Sequence, residues 1–210
     1  GSAAINVMSG GKLTMNSGTI TATGNRQAIY NYGGTVIIGG TTNLTAATDG
    51  DFEGVIRATV ANVSGTTTIT GGTIVNSLGP AVSINTGTLT IGENDGTIDT
   101  TTPVRQGNTY GLHTASGEGI TINVYDGIFK GKTAGISNTG DTTYPSTTDY
   151  DTYDTEVIGG QTYKLAYLYT LPPAPSSYTI TLNANGGTCS ECSISVDAGD
   201  AVDNLPVPTR

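Results

Sequence analysis

The 210-residue chain has no tryptophan, two phenylalanines, two cysteines and one histidine. Only 12% of it is charged, about half the usual share. Scarce charge excludes ordinary disorder, because disordered chains are charge-rich and poor in β-branched residues. This chain is full of Ile, Val and Thr, which suit a pleated surface. Eight basic residues against seventeen acidic ones give a net charge of −9. Nucleic acid and anionic membrane surfaces are therefore excluded as partners, since both are held by Lys and Arg. No apolar run approaches the roughly 18–20 residues of a membrane-spanning helix, so no membrane insertion is expected. No basic-then-apolar leader pattern opens the chain. Zinc lacks ligands: Cys189 and Cys192 in GTCSEC have no second pair, and His113 alone does not supply one. The two cysteines are expected to form a disulfide in an oxidising setting, or to be two free thiols. Closing so short a loop would contribute only about 2 kcal/mol.

What the chain has in quantity is glycine, 31 residues, with threonine beside it. TTTITGGTIVNS (66–77), TLTIGENDGTID (88–99) and KLTMNSGTITAT (12–23) are variants of one phrase. Aligned on a short apolar pair, six repeats start at Ala4–Ile5, Ala28–Ile29, Val55–Ile56, Ala81–Val82, Gly111–Leu112 and Gly135–Ile136. In each of the first five a second alternating segment follows: KLTMN, TVIIG, TTTIT, TLTIG, ITINV. A third follows at 18–20, 43–44, 72–74, 96–98 and 127–129. The period is irregular, about 24 to 30 residues, within the range of solenoids. Three short strands per period, divided by Gly/Asn/Asp/Ser turns, predict an all-β fold: a parallel β-helix of three strands per coil and about five coils. Its right-handedness follows from the crossover rule for parallel strands.

Alternate residues of a strand share a face. The inward columns are expected to be Leu13, Val36, Thr67, Leu89 and Ile120, then Met15, Ile38, Ile69, Ile91 and Ile122. The third strand adds Ile20, Leu44, Ile74, Ile98 and Phe129. Only Thr67 departs from the aliphatic rule. Glycine makes the corners where positive φ is needed. Five coils stacked at about 4.8 Å would stand roughly 25 Å tall.

The β-helix is assigned to residues 1–140. Residues 141–171 carry a tyrosine-rich, acidic stretch and VIGGQTYKLAYLY, which reads as a hairpin capping the last open edge. Residues 172–177 are a stiff Pro-rich linker. The final segment, 178–210, has Tyr178-Thr-Ile-Thr-Leu182, Asn185-Gly-Gly187, Gly199 and Leu205-Pro-Val-Pro-Thr-Arg210 in order. It resembles the internalin-type B repeat, the Listeria–Bacteroides repeat of bacterial surface proteins. The family continues past the arginine with Gly-Tyr and Gly-Trp segments that complete a small β-grasp-like unit, so the chain to Arg210 is expected to hold a partial one. The Gly/Thr-rich repeats also look like the β-helices of large Gram-positive surface proteins. The resemblance implies extracellular display on the bacterial cell wall and adhesion or spacing.

Candidate chemistry lies on the outward column of the first strands: Asn6, Tyr30, Arg57, Ser83, His113 and Ser137, with Tyr32 on the same face. Aromatic faces beside hydrogen-bonding groups suit sugars, so Tyr30, Tyr32, Arg57 and His113 are the expected ligand-binding residues. The partner expected is a polysaccharide, or a glycan or protein of a host surface, bound by a monomer. A purely structural stalk is the second reading. A β-helix polysaccharide lyase is the third; it would need carboxylates holding Ca²⁺ and a base that removes a proton. Asp49, Asp51 and Glu53 precede Arg57, but in a turn and with no facing cluster, so no catalytic residues and no enzyme are expected. DYDTYDTE places Asp149, Asp151, Asp154 and Glu156 in one oxygen-rich loop, a weak Ca²⁺ candidate that lacks the EF-hand's glycine and final glutamate. Thr14, Thr68, Thr90 and Thr121 form an outward threonine column of the kind ice binding would use, interrupted by Ile37. Outward threonine is also what strand propensity supplies.

Overall fold

The computed structural model describes residues 3–52, 55–115, 119–137, 142–143, 148–151, 154–170, 177–181, 183, 185–186, 188 and 193–197. Among them every regular element is a β-strand. The chain divides into two compact units, Gly1–Thr170 and Leu171–Arg210.

In the first unit the chain returns on itself in successive passes. The first contains β1 (Ala3–Met8), β2 (Lys12–Met15) and β3 (Thr19–Ala22), the second β4 (Gln27–Ile38) and β5 (Asn43–Ala46). A short antiparallel excursion follows, β6 (Asp51–Phe52) and β7 (Val55–Ile56). The third pass is β8 (Val60–Ile69) and β9 (Thr73–Asn76), the fourth β10 (Val82–Ile84), β11 (Gly87–Ile91) and β12 (Val104–Gly107). The fifth is β13 (Tyr110–Thr114), β14 (Ile120–Val124) and β15 (Ile128–Gly131); β16 (Ala134–Ile136) and β17 (Thr142–Thr143) begin a sixth. Then come β18 (Thr148–Asp151), β19 (Thr155–Ile158) and β20 (Gln161–Thr170), and in the second unit β21 (Ser177–Thr181) and β22 (Ser193–Asp197).

Corresponding strands pair in parallel. Ile5 lies beside Ile29, Ile29 beside Val60, Val60 beside Val82, Val82 beside Leu112 and Leu112 beside Ile136. The first and second strands of each pass form one ten-stranded sheet, because β4 and β8 run through the corner between them. The third strands form a second sheet, β3-β5-β9-β12-β15, and β20 joins its end antiparallel to β15. The alternation seen in the sequence is the reason. Ile29, Val36, Ile38, Leu44, Ile69, Ile74, Leu89, Ile91 and Ile122 are fully buried in one core. Each such side chain contributes about 1.5–3 kcal/mol on leaving water. The threonines between them face outward.

Glycine sets one corner. Gly65 and Gly87 have φ of +86° and +85°, and a Cβ on Gly87 would lie 2.3 Å from the Gly65 carbonyl oxygen. The neighbouring corner position also explains Thr67. Asn31 and Asn62 are buried side by side in register, and Asn31 Nδ2 donates to Asn62 Oδ1 at 2.9 Å. The Thr67 hydroxyl donates to Asn62 Oδ1 at 2.8 Å, and Asn62 Nδ2 donates to the Thr86 carbonyl. A hydroxyl in the aliphatic column thus satisfies an asparagine ladder.

Three expected registers are corrected. The third repeat starts at Val60, not Val55–Ile56. Both pairs are apolar, but Val60 begins a ten-residue strand running on through Gly65, whereas Val55–Ile56 pairs with Asp51–Phe52 in the excursion. In the fifth pass Ile122 and Val124, not Ile120 and Ile122, continue the columns of Leu89 and Ile91, because the corner falls at Gly119, φ +79°. The outer columns move with it. Thr121 joins Lys12, Thr35, Thr66 and Thr88, and Asn123 follows Thr14, Ile37, Thr68 and Thr90. In the fourth pass the third strand is Val104–Gly107, so Arg105 rather than Ile98 sits between Ile74 and Phe129. Residues 92–103 form a second excursion, and its Ile98 packs partly buried against the core.

In the second unit β21 and β22 pair antiparallel, Tyr178 opposite Val196, and Asn185 and Gly186 in the connection take positive φ. Cys189, Cys192, Gly199 and the LPVPTR segment lie outside the described residues, as does most of the Pro-rich linker.

Candidate functional site

The outward column of the first strands reads Asn6, Tyr30, Ala61, Ser83, His113. Tyr30 and Tyr32 stand on the same side of β4 with ring planes within 4° of parallel and centroids 6.3 Å apart. Their alternation along one strand fixes this arrangement; the register shifts on both sides of Tyr32, which is 50% exposed. Met8, paired with Tyr32, is 56% exposed, and Asn6, exposed, is paired with Tyr30. Two parallel phenol rings, a thioether and an amide therefore share one patch at the first two passes. Met8 was missed in the sequence because it follows the predicted strand core, where hydropathy alone gives no face.

Arg57 is not a member of the column. It belongs to the excursion, where its Nη1 donates to the Asn25 carbonyl at 3.0 Å, and Asn25 Oδ1 accepts from the Asp49 amide at 3.0 Å. Arg57 thus fastens the excursion to the turn before β4. The Ser83 hydroxyl donates to the Ile56 carbonyl at 2.9 Å, which leaves Ser83 buried under the excursion. The excursion therefore crosses the column at Ser83, with Tyr30 and Tyr32 on one side and His113 on the other. The four expected residues are not one site.

His113 is half-buried, with Tyr110 edge-on at 5.2 Å between ring centroids. Desolvation holds its imidazole below the usual range, and its buried Nδ1 has no hydrogen-bond partner among the described residues. It is neutral in the folded chain near pH 7.

Of the acids expected in one loop, three lie on strands and Asp154 lies between β18 and β19. Asp149 and Asp151 belong to β18 and pair with Tyr169 and Tyr167, while Glu156 belongs to β19 and pairs with Tyr163. Glu156 is ion-paired with Lys130 at 2.5 Å, and the Tyr167 hydroxyl donates to Asp154 at 2.5 Å. Glu156 thus ties β19 to β15, and Asp154 is tied to β20. Asp49 and Asp51 sit in the first excursion; Glu53 lies outside the described residues. In the second excursion the Thr101 and Thr102 hydroxyls hold the Asp99 carboxyl far below the usual range, and Thr97 lowers Asp95 likewise. Asp126 closes that excursion by accepting the Glu93 and Asp99 amides. Among the described residues no three His, Cys, Asp or Glu side chains are grouped so as to hold a metal ion.

An open depression of about 390 Å³ lies at the corner formed by Gly40–Asn43, Gly72–Thr73 and Thr102. Its wall is backbone and threonine, and the Thr73 amide already donates to the Thr42 carbonyl. It includes none of the expected ligand residues. Comparison of the chain with protein-family models, curated proteins and solved structures gave no match.

Proposed function

We propose that the first unit is a right-handed parallel β-helix acting as a non-enzymatic, glycan-binding module of an extracellular bacterial surface protein. The handedness rests on the crossover rule for parallel strands. The surface location rests on the resemblance of residues 178–210 to the internalin-type B repeat. The observation that carries the binding role is the parallel Tyr30–Tyr32 pair, with Tyr32 half open to solvent beside Met8 and Asn6. A pyranose offers an apolar C–H face and a rim of hydroxyls. The first packs on aromatic rings with little conformational cost, and the Asn6 amide and the Tyr32 hydroxyl meet the second. A net charge of −9 favours neutral glycans over acidic ones.

Affinity electrophoresis through gels containing neutral or acidic polysaccharides tests this, with and without Ca²⁺. The expected result is retardation by a neutral polymer, independent of Ca²⁺ and lost in Tyr30→Ala/Tyr32→Ala. His113→Ala should leave it intact, because the excursion separates the two. Free migration in every gel would leave the module a spacer. Polymer cleavage that a chelator abolishes would make it a lyase.

A further inference from the structure

Two tyrosines set the length and the direction of the aromatic patch. Two residues before Tyr30 on β4, Ala28 is fully buried, and directly after Tyr32 the strand turns its corner at Gly33, φ +88°. Across the passes, Ala61 lies beside Tyr30 and Ser83 beside Ala61. Both are buried, and the Ser83 hydroxyl is held by the Ile56 carbonyl of the first excursion. Arg57, fastened to the Asn25 carbonyl, brings the same excursion to the turn before β4. A polymer is therefore stopped on the flank towards His113, and the aromatic surface open to it runs along β4 over two rings.

Those rings share one orientation, parallel within 4°, with centroids 6.3 Å apart. This distance is comparable with the step from one pyranose to the next in an extended glycan. A sugar ring packs flat on an aromatic face, so neighbouring sugars on this pair must themselves be parallel. An α-linked glucan coils and inclines each ring to the next. An extended β-linked chain keeps its rings parallel and turns alternate residues over, so Tyr30 and Tyr32 meet opposite faces of neighbouring sugars. Both faces are apolar only where every ring substituent is equatorial, as in glucose and xylose. The axial hydroxyl of mannose sets a polar group against one tyrosine ring, where it loses water without gaining a partner.

We infer that the ligand of the Tyr30–Tyr32 pair is an extended, neutral, β-linked glucan or xylan, held through two successive sugars lying along β4. The inference rests on the glycan-binding reading above and narrows it to one class.

NMR titration of the unaltered chain with neutral oligosaccharides of equal length tests this. Cellohexaose, β-linked and all-equatorial, should bind. Maltohexaose is its α-linked isomer, and β-linked mannohexaose differs from it only in the axial hydroxyls. Both should bind about tenfold more weakly, the loss of one sugar-on-ring contact. Tyr32→Ala should weaken cellohexaose and erase the preference, whereas Tyr32→Phe should keep the preference. Equal affinity for cellohexaose and maltohexaose, or tighter binding of mannohexaose, overturns the inference and leaves glycan binding in place. So does retardation by some other neutral polymer when none of the three oligosaccharides binds. A preference for cellohexaose that survives Tyr32→Ala overturns it too, since another surface then does the selecting. If no oligosaccharide binds and the chain migrates freely through every polysaccharide gel, the glycan-binding reading falls and this inference falls with it.

Discussion

Arg105 occupies a place in a column of aliphatic side chains that hydropathy assigns to Ile98. Its guanidinium is fully buried, lies 4.8 Å from the Phe129 ring centroid and donates to the Pro103 carbonyl at 2.6 Å. Gly127 makes the room, since a Cβ there would lie within 2 Å of Arg105 Nη2. A buried ion is held by its environment more than it stabilises it. Arg105→Ala, which empties the volume, should cost about 3 kcal/mol. Arg105→Met, which fills it without a charge, should lie within about 1 kcal/mol of the original chain. Chemical denaturation separates the two. His113 gives a pH signature. Its folded-state pKa is lowered by burial, so the unfolded chain takes up a proton first, near pH 6.5. The histidine contribution is complete above that pH and is lost as pH falls through it towards the lower folded value. Melting temperature should therefore decline as pH falls below about 6.5, and less so in His113→Gln. Most core residues were legible in the sequence because period-two alternation marks them. Thr67 was placed inward by its register, whereas Arg105, Asn31 and Asn62 were not legible, since their burial depends on partners one pass away in space and far along the chain.

The elements are defined by corners as much as by strands. Gly87 and Gly10 both have φ near +80°, but a Cβ on Gly10 meets nothing within 4 Å and one on Gly87 meets the Gly65 backbone at 2.3 Å. Gly10→Ala should therefore cost about 1 kcal/mol, the conformational term alone. Gly87→Ala should cost about 3 kcal/mol or more, because two passes must separate. Equilibrium unfolding of the two variants measures the difference. Strand identity was readable for β2, β4, β5, β9 and β11, where the alternation is long and a glycine or asparagine stands near the turn. The errors cluster at the two excursions and at Gly119. In each, two apolar starts compete within a few residues, and only pairing with the neighbouring pass decides between them. The candidate site suffered most. Replacing Arg57 by Ala61 in the column turned a continuous face into two, and the excursion that divides them has no pattern of its own in the sequence.

At the scale of the whole molecule, acidic residues are unevenly distributed along the chain. Residues before Asp49 carry no negative charge, and they include the Tyr30–Tyr32 patch. A neutral polymer can therefore approach this region without crossing a strong repulsive field. The positions of the patch and the excursion both depend on the register in which the passes stack. That register is the central claim, and one cross-link tests it. With Cys189 and Cys192 replaced by serine, Thr88→Cys/Thr121→Cys places two thiols side by side on adjacent parallel strands, about 4.8 Å apart at Cα, within disulfide reach. Thr90→Cys/Thr121→Cys sets them two residues out of register, about 8 Å apart and beyond it. Rapid oxidation of the first pair and not the second is the predicted result. The reverse would contradict the stacking register and the division of the binding face that rests on it.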